Sequence, residues 1–244
     1  MKIALQMYSV RDAVKDKQSL FAALKKVREM GYEGVEFAGC FGADAGDLKA
    51  CLKELGLTAV GCHEPLRNIE AGNIDEMLSF YQQVGVENFV CAFAPAGTAE
   101  EVKHLCEQMA VIKEKAEKLG MKVGYHNHAH EFKMVGDSRP IDKIAACCPL
   151  ELDTYWSFVA REDNRSFIRG RKDQIGLIHL KDGSTDGKPC AIGEGAADIQ
   201  AVLEASKEIG MQWVIVENDN PVPDGFSDVN RSINTLKTKF AQFL

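Results

Sequence analysis

The sequence predicts an α/β protein whose parallel strands alternate with helices and close into a single (β/α)8 barrel. Three observations carry that expectation. An apolar-Gly-apolar step recurs along the chain, an amphipathic stretch precedes it, and a short apolar run rich in β-branched residues follows it. The steps are Met30-Gly31-Tyr32, Leu55-Gly56-Leu57, Val84-Gly85-Val86, Leu119-Gly120-Met121 and Ile209-Gly210-Met211. Glycine just past a helix accepts the left-handed conformation that ends it, and the next apolar residue starts a strand.

Taken in order, KIALQMY (2–8) is the first strand candidate, followed by a helical pattern over 18–30 with Leu20, Leu24, Val27 and Met30 on one face. GVEF (34–37), TAVGCH (58–63) and NFVCAF (88–93) are the next three strands. Thr98, with Glu101 three residues on, reads as a capping box opening a helix over 98–119 that carries Val102, Leu105, Met109 and Ile112. KVGYH (122–126), LELDTY (150–155), GLIHL (176–180) and WVIVE (213–217) complete the strands. Asp198 or a residue just before it starts the helix that leads into the last of them. The strands lie roughly 30 residues apart, the length of a strand-helix-strand unit. Near-continuous apolar strands fit burial on both faces, and this number of units suggests closure, with a doubly wound open sheet as the alternative.

A chain of 244 residues, 45% hydrophobic and 27% charged, has the composition of a globular protein with a sizeable core. No Pro/Ser/Gly-rich linker divides it, so one domain is expected over 1–244. The N-terminal apolar stretch is short and interrupted by Gln6 and Ser9, which reads as a strand rather than a secretion signal. No run approaches the ~18 apolar residues of a membrane span. The 8 cysteines are scattered and none forms a CxxC pair, which points to free thiols in a reducing cytoplasm. A net charge of −7 disfavours nucleic acid, and the densest basic stretch, 161–172, is interleaved with Glu162 and Asp163.

Functional side chains of such a fold belong at the carboxyl ends of the strands. Glu131 after KVGYHNHAH, Asp153 in LELDTYW, His179 in GLIHLKD and Glu217 in WVIVEND each interrupt or end an apolar strand there. Three carboxylates and an imidazole suit one divalent ion, Mn²⁺ first, with Mg²⁺, Co²⁺ or Zn²⁺ as alternatives. Taken singly, Asp153 reads as a strand-end cap, His179 as a core histidine and the glutamates as ion-pair partners. Their recurrence on successive strands favours the shared ion. His126, His128 and His130 alternate, but as ligands from one extended strand they would spread over ~13 Å, so they are not read as a zinc triad. Asn127 or His128 is instead expected to touch substrate. Gln6, Tyr8, Glu36 and His63 occupy corresponding strand ends in the first half and are candidate contacts to substrate hydroxyls. Trp156 is placed to stack on a sugar ring. Lys181, two residues after His179, shares its face and would aim an ammonium into the same mouth. The glycines of KPCAIGEGAADIQ resemble an anion-binding loop only weakly.

The order HNHAHEF, LELDTYW, LIHLKDG and VIVENDN resembles the xylose isomerase-like barrel superfamily, in its sugar phosphate isomerase/epimerase group, over essentially the whole chain. HNHAHEF and HLKD are most similar to the inosose dehydratase-like branch. The resemblance implies metal ligands at Glu131, Asp153, His179 and Glu217, with Glu131 and Glu217 also moving protons. Ketose 3-epimerases of the family carry a histidine where Trp156 stands and an arginine where this chain has Thr185.

The expected activity is therefore that of a divalent-metal-dependent sugar or sugar phosphate isomerase/epimerase working by α-proton abstraction through an enediolate. An inosose or keto-sugar dehydratase using the same site is the alternative reaction. An abasic-site endonuclease would need more histidines and a basic rim, and a catalytically silent sugar-binding barrel would show no proton exchange. The expected partner is a small carbohydrate, with no nucleic acid and no membrane, and related barrels commonly pair into homo-oligomers.

Overall fold

The computed structural model describes residues 1–244. Its strands are β1 (Lys2–Gln6), β2 (Gly34–Phe37), β3 (Thr58–Glu64), β4 (Asn88–Cys91), β5 (Lys122–His126), β6 (Leu150–Asp153), β7 (Ile175–Leu180) and β8 (Trp213–Val216). All are parallel neighbours in chain order, and β1 closes on β8 with Lys2 beside Trp213 and Leu5 beside Val216. That closure excludes the open-sheet alternative. Every strand lies within or overlaps its expected run, but several stop early for local reasons. β6 ends at Asp153 because the Asp153 side chain caps the next helix, accepting from the backbone N–H groups of Tyr155 and Trp156.

The helices that cover the barrel start and stop on the expected signals. α1 (Lys17–Met30) ends at Gly31 with φ 98°, and α2 (Ile74–Val84) ends at Gly85 with φ 95°. α3 (Ala99–Lys118) opens on the reciprocal Thr98–Glu101 box, and α4 (Ile199–Glu208) on Asp198, which accepts from Ala201 N–H. Most of the apolar core lies between strands and helices in one continuous cluster. A smaller cluster that includes Ala4, Leu177 and Ile215 lies two residues below Gln6, His179 and Glu217 on the same strand faces, flooring the mouth with hydrocarbon.

The loop after β7 resolves the weak anion-loop signal. The anion it binds is the protein's own: buried Asp182 accepts from the backbone N–H of Gly183, Gly193, Gly195 and Ala197 at 2.8–3.1 Å. Within the basic stretch 161–172, three arginines are likewise paired internally, Arg165 with Glu204, Arg169 with Glu208 and Arg171 with Asp142. All cysteines are free thiols. No helix is long and apolar enough to cross a membrane.

Candidate metal centre

Register brings the polar residues together. Gln6 pairs with Glu36, His126 with Glu151, and Asp153 with His179, which in turn pairs with Ile215, two residues before Glu217. The parallel barrel therefore lifts ligand atoms from β5, β6, β7 and the end of β8 to one level.

His126, Asp153, His179 and Glu217 each bring one donor atom within 4.8 Å of the others. His179 Nδ1 is 3.0 Å from Glu217 Oε2, and His126 Nε2 is 3.6 Å from Asp153 Oδ2. Asp153 Oδ1 is occupied by capping, whereas Oδ2 is buried with no hydrogen-bond partner. The Lys181 ammonium lies 2.9 Å from that oxygen, 2.6 Å from Glu217 Oε2 and 2.9 Å from Asp219 Oδ2. Two imidazole nitrogens and two carboxylates, one with an orphaned buried oxygen, fit a divalent ion.

A second group, His63, His126, Glu151 and His179, also brings one donor atom each within 4.8 Å. Glu36 joins it, with Oε2 2.6 Å from His179 Nε2 and 3.1 Å from His63 Nε2, and it accepts from the Gln6 amide at 2.8 Å. Glu151 Oε2 is 2.5 Å from His63 Nε2 and 3.1 Å from His126 Nδ1. The imidazoles of His126 and His179 are thus gripped between outer carboxylates, Asp153 and Glu217, and inner ones, Glu36 and Glu151. The His63 and His179 rings lie nearly parallel, 5.1 Å apart.

Electrostatics follow from burial in this acidic pocket. Burial and the Glu151 charge push Glu36 up to about 7. Burial would raise Glu151 too, but His179 and His63 outweigh it and hold that carboxylate low. Asp153 is raised to about 6 by burial, against the pull of Lys181. Burial opposes the charge on Lys181, yet Asp153 and Glu217 raise it well above the usual range. Burial and the neighbouring Lys181 lower His128 to about 3.

The expected residues divide as follows. Asp153, His179 and Glu217 converge, but Glu131 does not join them; His126 stands in its place. β5 ends at His126, and the chain then turns into a short 3-10 segment, His130–Phe132, that groups Glu131 with His128 and His130. There its two oxygens accept from Tyr125 OH and His128 N–H, near His130. Asn127 is fully buried, and its side chain bonds only the backbone of Asp153. Gln6, Glu36 and Lys181 are buried among the site's own charges, not standing free for hydroxyls. A cleft of about 470 Å³ opens above, lined by Tyr8, His63, His126, His128, Glu217 and Asp219 among others. His128 Nδ1 and Trp156 Nε1 are buried without partners, their rings 6.1 Å apart.

Sequence reasoning missed His126, Glu151 and Asp219 as members of the site. His126 ends the apolar run KVGYH, the same signal that singled out Asp153. Glu151 was legible from alternation, since it shares a strand face with Asp153. Asp219 carried no signal, because it lies beyond the strand.

Among solved structures, the chain is similar to a sugar phosphate isomerase/epimerase from Parabacteroides distasonis ATCC 8503, with 20% identity, a TM-score of 0.83 and coverage of 97% of this chain and 98% of that one. It is also similar to the IOLI protein with a binding zinc atom, at 18% identity and TM-score 0.81, covering 100% of this chain and 99% of that one. The probable 3-DHS dehydratase AsbF from Bacillus anthracis matches at 14% identity and TM-score 0.76, over 98% of this chain and 100% of that one. These likenesses show the fold. No curated protein is significantly similar in sequence. The family model of the xylose isomerase-like TIM barrel matches residues 24–238, and on that match, over a barrel with its polar residues gathered at the carboxyl ends of the strands, the chain belongs to the xylose isomerase-like TIM barrel family.

Proposed function

We propose that this chain is a divalent-metal-dependent sugar or sugar phosphate isomerase/epimerase that removes an α-proton to give an enediolate. The observation that carries the reading is the orphaned, buried Asp153 Oδ2 among His126, His179 and Glu217. In this reading those four residues hold the ion, Mn²⁺ or Zn²⁺ foremost. A divalent ion there supplies Lewis-acid stabilisation of the oxyanion that develops on the substrate carbonyl.

The remaining roles fall to the chain itself. Glu217 lines the cleft from β8 and is the first candidate to take the α-proton. His128 lines the same cleft just after β5 with an unpartnered Nδ1 and, lowered to about 3, is a neutral imidazole assigned to accept a hydrogen bond from a substrate hydroxyl. Glu131 supports the His128 backbone rather than carrying protons. Tyr8 offers aromatic surface to a sugar ring from the cleft lining, which His63 shares, and Trp156 lies beside His128 with ring centroids 6.1 Å apart. Eight free thiols fit a reducing cytoplasm.

The dehydratase alternative would use the same site: the probable 3-DHS dehydratase AsbF shares this fold, and an enediolate can also expel a β-hydroxyl. One experiment serves both reactions: incubation with ketoses, inososes and keto-sugars in deuterated water, following deuterium at the carbon next to the carbonyl. Incorporation without loss of water supports the isomerase/epimerase, and incorporation with an unsaturated product supports the dehydratase. Metal-loaded protein that exchanges none of them refutes α-proton chemistry on these substrates.

A further inference from the structure

We propose that the inner face of this cluster is a second divalent-cation site, formed by Glu36, His63 and Glu151 with His179 Nε2 at its fourth corner. It goes beyond the single ion held by Asp153 and Glu217, and three of its four residues take no part in that outer set.

The first argument is charge. Glu36, Glu151, Asp153 and Glu217 are all buried, the most exposed at 5%. Lys181 is the one lysine or arginine that reaches any of them, and it reaches only Asp153 and Glu217. The inner carboxylates have no fixed cation. Their neighbours are imidazoles and, for Glu36, the Gln6 amide. Two buried carboxylates sharing one locus are costly unless positive charge joins them, and without an ion only protonated His63 and His179 can supply it.

The second argument is geometry. His63 Nε2 lies 3.1 Å from Glu36 Oε2 and 2.5 Å from Glu151 Oε2, and His179 Nε2 lies 2.6 and 3.2 Å from the same two oxygens. Nitrogens and oxygens alternate around a closed ring with four short edges. Two ring nitrogens carry at most two protons, so linear hydrogen bonds satisfy no more than two of those edges. A central cation satisfies all four, and metal–ligand bonds of about 2.0–2.2 Å need a ring only slightly larger than the one present. Each carboxylate also has its second oxygen buried and without a hydrogen-bond partner. Glu36 Oε1 occupies the space over Gly61 where a Cβ would stand, so the missing side chain at 61 is what lets Glu36 reach the ring.

The donor set of two nitrogens and two oxygens suits Zn²⁺ and related divalent transition-metal ions. When both ions are present, the outer one takes His179 Nδ1. His179 Nε2 then binds the inner ion after releasing its proton to solvent, or keeps the proton and leaves the fourth position to water.

The test counts ions. Protein stripped with chelator, reloaded with Zn²⁺ and desalted is analysed by elemental emission, alongside His63→Gln and Asp153→Asn. Two ions per wild-type chain and one in each variant establish the inner site and the outer one separately. One ion in wild type that survives His63→Gln overturns the inner site. One ion that disappears in His63→Gln and survives Asp153→Asn keeps the inner site and removes the outer assignment. One ion lost from both variants means that the two faces serve a single ion, which also overturns the proposal. Zinc anomalous scattering from wild-type crystals gives the same count without a variant: two peaks support the inner site, and a lone peak at Asp153 refutes it.

Discussion

The Asn127 side chain is bonded at both ends to the backbone of Asp153: its amide donates to the Asp153 carbonyl at 3.3 Å, and its Oδ1 accepts from the Asp153 N–H at 3.0 Å. A residue just past β5 thereby holds the end of β6, where one oxygen of Asp153 caps a helix and the other faces the cluster. Asn127→Ala leaves two buried backbone groups unpaired, at about 1–3 kcal/mol. It also frees a ligand whose orientation matters, so divalent-ion affinity should fall roughly 10–100-fold. Calorimetric titration checks this; full affinity in a destabilised variant would confine Asn127 to the fold.

His126 and Glu131 make opposite predictions. His126→Ala should lower ion content and abolish the stabilisation that the ion gives the native state. Glu131→Gln should keep the ion, because that carboxylate is bonded to Tyr125 and His128 instead. Thermal melts with and without Zn²⁺ decide it, and the reverse pattern would restore Glu131 to the ligand set.

Lys181 stands at the carboxylates that the ion would bind. Lys181→Met should destabilise the metal-free protein by about 3–5 kcal/mol, the usual consequence of removing one partner from a buried charge cluster. Saturating divalent ion should restore more stability to the variant than it adds to wild type. Urea unfolding in chelator and in excess metal measures both quantities. An equal loss under the two conditions would mean that Lys181 and the ion do not share a role.

The Glu36 carboxyl, ordinarily near 4.5, is raised to about 7 by burial and Glu151. A raised acid holds its proton in the folded chain after the unfolded chain has lost it. Its contribution is therefore unperturbed below pH ~4.5 and becomes a growing penalty as pH rises to about 7. In chelator, wild type should lose stability relative to Glu36→Gln across that window, by roughly 3 kcal/mol at its upper end. Parallel stability curves for the two proteins would dismiss the shift.

The barrel itself was legible in the chain. Helix-ending glycines, the Thr98–Glu101 box and apolar runs are local signals, and local backbone preference decides where helices stop and strands start. Asp153, His179 and Glu217 could be placed at one rim because each ends or interrupts such a run, and Lys181 because alternation puts it on the His179 face. Other features were decided only by the closed fold. Whether His126 or Glu131 joins the rim depends on where β5 gives way to a turn, and that is set by the Tyr125, His128 and Asn127 bonds to neighbouring segments. The meeting of Glu36, His63 and Glu151 is a matter of register across the barrel interior. The ladder shifts between Val35 and Glu36 and between Leu150 and Glu151, and such shifts re-aim side chains in a way that a strict period of two does not anticipate. A sequence pattern records which way a side chain points along its own strand; which charges share a pocket is determined by strands far apart in the chain, through closure and register.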